Sequence, residues 1–135
     1  MAVVIAKLRG LDEALAGKLG AQGFKDSDQF LEAVCTPAGR KDVAAKCETD
    51  TKAILQLANR ADLARVKGVA GVFGDLLEVA GVDTVKELAT RRPDNLHKKI
   101  VETNDEQKIA GRNPTMADVE SWVAQAKELP KMLQY

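Results

Sequence analysis

Apolar residues recur at every third or fourth position in several stretches of the chain, which is the spacing of an amphipathic helix. Two of these stretches follow Gly10 and Gly68. Their apolar positions are Leu15 and Leu19 in the first, and Val72, Leu76, Leu77 and Ala80 in the second. Gly23 and Gly81 come just after the stretches, where a glycine can take the left-handed conformation that ends a helix. The pattern therefore predicts a helix in each stretch, ended by a glycine.

Short polar residues and a proline mark the starts of further helices. Asp26 or Ser27 in one place, and Asp83 in another, can cap a following helix because their side chains accept hydrogen bonds from its first N–H groups. Pro93 suits the first turn of another helix. No segment alternates apolar and polar residues as a strand does, so the predicted fold class is all-α.

The last predicted helix has the clearest signals. Thr115 and Asp118 have the spacing of a capping box, and Pro130 ends the helix. The helix carries one apolar stripe made of Val119, Trp122, Val123 and Ala126. Its place in this stripe predicts that Trp122 lies in the core.

The chain is similar to itself. From Ile5 onward, basic, apolar and glycine residues recur in the same order 58 positions later in the chain. From Lys46 onward, a second stretch of residues recurs in type 66 positions later. We therefore predict two related units, residues 1–62 and 63–135, that pack into one compact, cooperative domain. We expect a continuous core that contains Leu15, Leu19, Leu57, Phe73, Leu77, Leu88, Ile100, Trp122 and Val123.

Composition and charge exclude several classes of protein. The 135 residues include 20 Lys and Arg and 20 Asp and Glu, so the net charge is zero and no global field attracts the chain to nucleic acid or to an acidic membrane. No apolar run approaches the roughly 20 residues that span a bilayer. The sequence shows no secretory signal, so the expected location is cytoplasmic.

Cysteine and histidine residues offer no recognisable reactive site. Cys35 and Cys47 lie 12 positions apart, and His97 is the single histidine. This spacing assembles neither a zinc site nor a histidine-assisted nucleophile from nearby residues. We therefore expect no catalytic residue, no metal ligand, no cofactor and no small-molecule substrate, and we do not expect an enzyme.

The segment from Leu63 to Leu77 resembles a helix-hairpin-helix. The order then continues with "AGVDTVKELA", an Arg-Pro step, "NL" and a Trp-containing stretch that ends in "AKEL". Nearly the whole chain thus resembles an uncharacterised bacterial family of tandem helix-hairpin-helix domains, a domain of unknown function. This resemblance implies the fold, and it carries no established activity.

In helix-hairpin-helix proteins, N–H groups at the start of the second helix can hold a phosphate without reading bases. The candidate phosphate-binding residues here are Arg65, Lys67, Gly68, Val69, Ala70 and Gly71. The candidate flanking cations are Lys86, Arg91, Arg92, Lys98 and Lys99. In the first hairpin, Asp12 and Glu13 follow Gly10 and put negative charge where a phosphate would dock. We expect this first hairpin to be structural, because an acidic residue stabilises the start of its own helix.

Two functions remain open. The leading prediction is a non-catalytic protein-binding, scaffold or adaptor module whose partner is another protein, possibly a second copy, and the balanced charge and Asp12 favour it. The alternative is sequence-independent binding to a nucleic-acid backbone through the predicted hairpin that contains Arg65 and Lys67. The positive charges of these two residues favour this alternative. Fold analogy supports both functions.

Overall fold

Eight α-helices make up most of the part of the chain that the computed structural model describes, residues 3–8, 11–69 and 71–134. The helices are α1 Glu13–Ala21, α2 Ser27–Val34, α3 Pro37–Lys46, α4 Thr51–Leu63, α5 Val72–Val79, α6 Val85–Ala89, α7 Pro93–Gln107 and α8 Met116–Glu128. A short 3₁₀ helix, Ile5–Lys7, precedes them, and one isolated β-bridge joins Val4 to Asp26. The described residues form no strand, so the all-α prediction is confirmed.

Polar side chains cap six of the helices. The capping residues are Asp12, Asp26, Thr36, Asp50, Thr84 and Thr115, and each accepts a hydrogen bond from the N–H group three residues later. The prediction that Asp83 caps α6 is wrong by one residue, because the Thr84 hydroxyl accepts the Glu87 N–H at 3.1 Å. Each cap satisfies an N–H group that has no partner within its helix.

The capping box of α8 is confirmed in both directions. The Asp118 N–H donates to the Thr115 hydroxyl at 3.1 Å, and the Thr115 N–H donates to the Asp118 carboxylate at 2.9 Å. This backbone hydrogen bond lowers the pKa of Asp118. The predicted helix ends are also confirmed, since Gly23 and Gly81 follow α1 and α5 with φ of +92° and +100°.

The buried apolar residues form two clusters, which corrects the prediction of one continuous core. The first cluster extends from Ile5 to Ala61 and also contains Leu133, and the second extends from Leu63 to Ala126. Helix α4 contributes to both, because its first three turns face the first cluster and its last residue lies in the second. Leu15 and Phe73, both expected in the core, are only partly buried, and they pack against the first and the second cluster respectively.

The segment 129–134 runs from the end of α8 back to the first cluster. Leu133 is buried there at 4% exposure. The Gln134 N–H donates to the Cys35 carbonyl at 2.7 Å, and the buried Arg40 guanidinium donates to the Gln134 carbonyl at 2.6 Å. This segment therefore joins the second half of the chain to the first.

Trp122 lies in the second cluster, as predicted, with 4% of its surface exposed. Its ring centroid is 5.5 Å from that of Phe73, and the planes are tilted by 49°. The Arg112 guanidinium lies over the Phe73 ring at 4.8 Å, a distance at which a cation is attracted to an aromatic face. Trp122 therefore packs α8 against the start of α5.

We predict that Trp122→Ala lowers the free energy of unfolding by about 3–5 kcal/mol, the usual cost of truncating a buried large aromatic side chain. Denaturant titration followed by circular dichroism measures this change. Trp122→Phe keeps most of the contact with Phe73 and should cost less. A Trp122→Ala protein with an unchanged midpoint would contradict the buried position of this ring.

Candidate functional site

The connection between α4 and α5, residues 64–71, contains the candidate phosphate-binding residues and is called the second hairpin below. Gly68 lies in it with φ of +103°, a conformation that favours glycine. A Cβ atom at Gly68 would lie 2.9 Å from Nε1 of Trp122. The second hairpin is therefore packed against α8. Ala70, one of the candidate residues, lies outside the described residues.

Gln125 of α8 also forms hydrogen bonds with the backbone of the second hairpin. The Lys67 N–H donates to Oε1 of Gln125 at 2.9 Å, and Nε2 of Gln125 donates to the Lys67 carbonyl at 3.4 Å. The Val69 N–H donates to the Val66 carbonyl at 3.3 Å. The N–H groups of two candidate residues, Lys67 and Val69, are thus used within the protein.

The N-terminus of α5, which directly follows the second hairpin, retains the partial positive charge of a helix start. Gly71 precedes α5 and offers no side-chain cap, and its carbonyl accepts the Gly74 N–H at 2.9 Å. The first N–H groups of a helix have no partner within it and attract negative charge. However, Asp75 already supplies a carboxylate in this first turn and forms an ion pair with Arg60 of α4.

Arg65 is committed to an ion pair inside the protein. Its guanidinium donates to Oδ1 of Asp62 at 2.6 Å and 3.1 Å and to the Pro130 carbonyl at 2.8 Å. The other carboxylate oxygen of Asp62 accepts the Val85 N–H at 2.8 Å. The side chains of Arg65 and Asp62 are only 9% and 4% exposed. Asp62 therefore balances the positive charge that made Arg65 a candidate.

The candidate flanking cations are spread over α6, the connection after it and α7. Arg91 pairs with Glu87 at 2.8 Å, and Arg92 pairs with Asp94 at 3.1 Å. Lys98 and Lys99 are exposed on α7, and Lys86 is exposed on α6 beside the cavity described below. Lys67 is the candidate cation whose side chain is exposed on the second hairpin itself.

Asp12 has the structural role expected for the first hairpin. Its carboxylate accepts the Leu15 N–H at 2.7 Å and caps α1. The carboxylate thus occupies the helix start where a phosphate would otherwise bind. The preceding residues Arg9 and Gly10 lie outside the described residues.

A cavity of about 380 Å³ opens beside the second hairpin, and we call it the groove. Its described lining residues come from the end of α4, from α6 and α8, and from the segment 129–134: Asp62, Arg65, Thr84, Val85, Lys86, Ala89, Thr90, Ala126, Lys127, Leu129, Lys131, Met132 and Leu133. Cavities that bind small molecules and short ligand segments have similar volumes, about 300–1,000 Å³. The groove is therefore large enough to hold a side chain of a binding partner.

Sequence reasoning missed the groove because it depends on contacts between residues far apart in the chain. Arg65 reaches Pro130 across 65 positions, and Arg40 reaches Gln134 across 94. One available signal was the pair Met132 and Leu133, two apolar residues that follow the predicted stop at Pro130.

Other reactive groups form no further site among the residues described. Cys35 and Cys47 form no disulfide, and burial raises the pKa of the Cys47 thiol. Within 3–8, 11–69 and 71–134, no three His, Cys, Asp or Glu side chains come close enough to hold a metal ion. The same ranges contain no helix that is long and apolar enough to cross a membrane.

The fold and the groove define an all-helical domain with two apolar clusters that share α4 and the segment 129–134. Comparison with protein families identifies it more closely: the chain belongs to the family described as Domain of unknown function (DUF4332), whose model matches residues 9–129. Comparisons with curated proteins and with solved structures gave no match.

We predict that Gly68→Ala destabilises the protein by more than about 1 kcal/mol, because position 68 has a positive φ that disfavours a residue with a Cβ atom, and the new Cβ would lie 2.9 Å from Trp122. The matched control is Gly20→Ala in α1, where a Cβ meets no atom within 4 Å. We expect this control to stabilise the protein by about 0.4–1 kcal/mol. Thermal unfolding compares the two, and equal shifts would contradict the packing of the second hairpin on α8.

We predict that Asp62→Ala lowers the free energy of unfolding by about 3–5 kcal/mol, because it removes the carboxylate that balances the buried Arg65 charge. Asp42→Ala is the control, since it removes an exposed ion pair to Lys46 at 3.0 Å and should cost less than about 0.5 kcal/mol. Urea titration of both proteins measures the difference. Similar costs would show that the Asp62–Arg65 pair contributes no more than a surface pair.

Proposed function

We propose that the chain is a non-catalytic protein-binding, scaffold or adaptor module built from two related helix-hairpin-helix units, residues 1–62 and 63–135. The proposal includes a cytoplasmic location and a partner that is another protein. The groove is the surface we assign to that partner.

Matching local features in the two halves support the two units. The caps Asp26 and Thr84 lie 58 positions apart, as do Gly23 and Gly81 with their positive φ. Helices α3 and α7 are each followed by a residue in the left-handed region, and both begin with proline. These left-handed residues are Glu48 with φ of 55° and Lys108 with φ of 54°. Two unrelated halves have no reason to repeat these features in the same order.

The observation that carries the functional proposal is the contact between the second hairpin and α8. The Gln125 side chain accepts a hydrogen bond from the Lys67 N–H, and Trp122 lies against Gly68. A nucleic-acid backbone needs exposed N–H donors and cations at this position. Arg65 is paired with Asp62, and Asp12 caps α1 in the first unit. The groove, in contrast, offers an open apolar surface of the kind that binds protein side chains.

One observation favours the alternative function of binding a nucleic-acid backbone. The start of α5 has no side-chain cap, and the exposed Lys67 precedes it by a few residues. Such a site would contact at most one or two phosphates, because the other candidate cations are paired or lie elsewhere on the surface.

We predict that fluorescence anisotropy detects no binding of single-stranded or double-stranded DNA or of RNA at tens of micromolar protein and low salt. Non-specific binders have dissociation constants of about 10⁻⁴ to 10⁻⁶ M, so this range is sensitive. Cross-linking in native extract should in parallel capture a protein. Binding that Lys67→Glu weakens equally for all sequences, with a salt slope near about −0.9 per phosphate contact, would support the alternative instead.

A further inference from the structure

We propose that the groove binds an acidic segment of the partner protein, with one apolar side chain of that segment inserted into the cavity. This inference rests on the proposed protein-binding function and specifies the chemistry of the partner. Three observations carry it: the apolar walls of the groove, the cations at its rim and the fixed position of the segment that closes it.

The walls of the groove are apolar and come from three elements. Val85 and Ala89 belong to α6, Ala126 belongs to α8, and Leu129 and Met132 belong to the segment that follows. Small residues at the two alanine positions leave the space that a guest side chain fills. A buried apolar anchor of this kind supplies much of the binding energy in protein interfaces.

The rim of the groove is positively charged. Lys86, Lys127 and Lys131 line it and are exposed. Asp62 is the one carboxylate among the described lining residues, and both of its oxygens are used, by Arg65 and by the Val85 N–H. The chain as a whole carries no net charge. The excess of lysine is therefore local, and it selects a partner segment that carries Asp or Glu.

The segment that closes the groove is held at both ends. Arg65 donates to the Pro130 carbonyl at 2.8 Å, and Arg40 donates to the Gln134 carbonyl at 2.6 Å. Leu133 between them is buried. The groove is thus formed before a partner arrives, and a preformed site loses less conformational entropy on binding.

Selection of a displayed random peptide library on the immobilised full chain tests the proposal. We expect the enriched peptides to place Asp or Glu on both sides of a Leu, Ile, Met or Phe. Their affinity should fall by about tenfold or more in the double variant Lys127→Glu with Lys131→Glu, because rim repulsion replaces attraction. The matched control, Lys98→Glu with Lys99→Glu on α7, makes the same charge change away from the groove and should leave the affinity unchanged.

A second variant separates the apolar part of the proposal from the electrostatic part. Ala89→Trp introduces a large side chain at the cavity wall and should abolish binding without altering the lysines. Thermal unfolding of each variant shows whether the fold is retained. If Ala89→Trp fails to fold, Ala89→Leu, a smaller change at the same partly buried position, takes its place with the same expectation.

The outcomes separate this inference from the function on which it rests. Enriched peptides without acidic residues, or peptides whose affinity is the same for the two double lysine variants, would overturn the acidic groove while leaving a protein-binding module. A dimer in analytical ultracentrifugation that the Lys127→Glu, Lys131→Glu variant dissociates would assign the groove to self-association instead. No enriched peptide together with no captured protein would remove both proposals.

Discussion

The buried ion pair between Asp62 and Arg65 connects three parts of this structure that are distant in the chain. Asp62 lies near the end of α4, its second oxygen holds the first N–H of α6, and Arg65 carries the link on to Pro130. Burying two charges costs solvation free energy, and their attraction offsets this cost only when the remaining polar atoms are also hydrogen-bonded. Both carboxylate oxygens of Asp62 accept hydrogen bonds, and together with the Arg65 contact to Pro130 these bonds hold α4, α6 and the segment after α8 in place relative to one another.

Much of the local structure could be predicted because it depends on residues close together in the chain. The capping box of Thr115 and Asp118 needs only a spacing of three, and the glycines that end α1 and α5 need only their place after an apolar stripe. The one misplaced cap, Asp83 for Thr84, shows the precision of such reasoning. Either side chain can accept the bond, and the direction of the incoming chain decides between them.

The candidate site could not be predicted, because its properties depend on distant partners. Arg65 and Lys67 flank a glycine-containing turn, and the sequence alone cannot show that Asp62 neutralises one and that Gln125 takes the N–H of the other. The division of the core has a similar cause. Helical periodicity identifies which residues are buried, but it does not say which of them touch. The apolar residues of α4 from Ile54 to Ala61 lie in the first cluster, whereas Leu63 at its end lies in the second, and the sequence does not mark this change.

The segment 129–134 also affects how the two halves of the chain unfold. It packs Leu133 into the first cluster while Leu129 contacts the second, so its release would remove one connection between the two clusters and leave α4 as the other. A ligand that binds only the docked form of this segment stabilises that form in proportion to the logarithm of its concentration. A partner bound in the groove as proposed would therefore raise the cooperativity of unfolding, so that the two halves unfold more nearly as one.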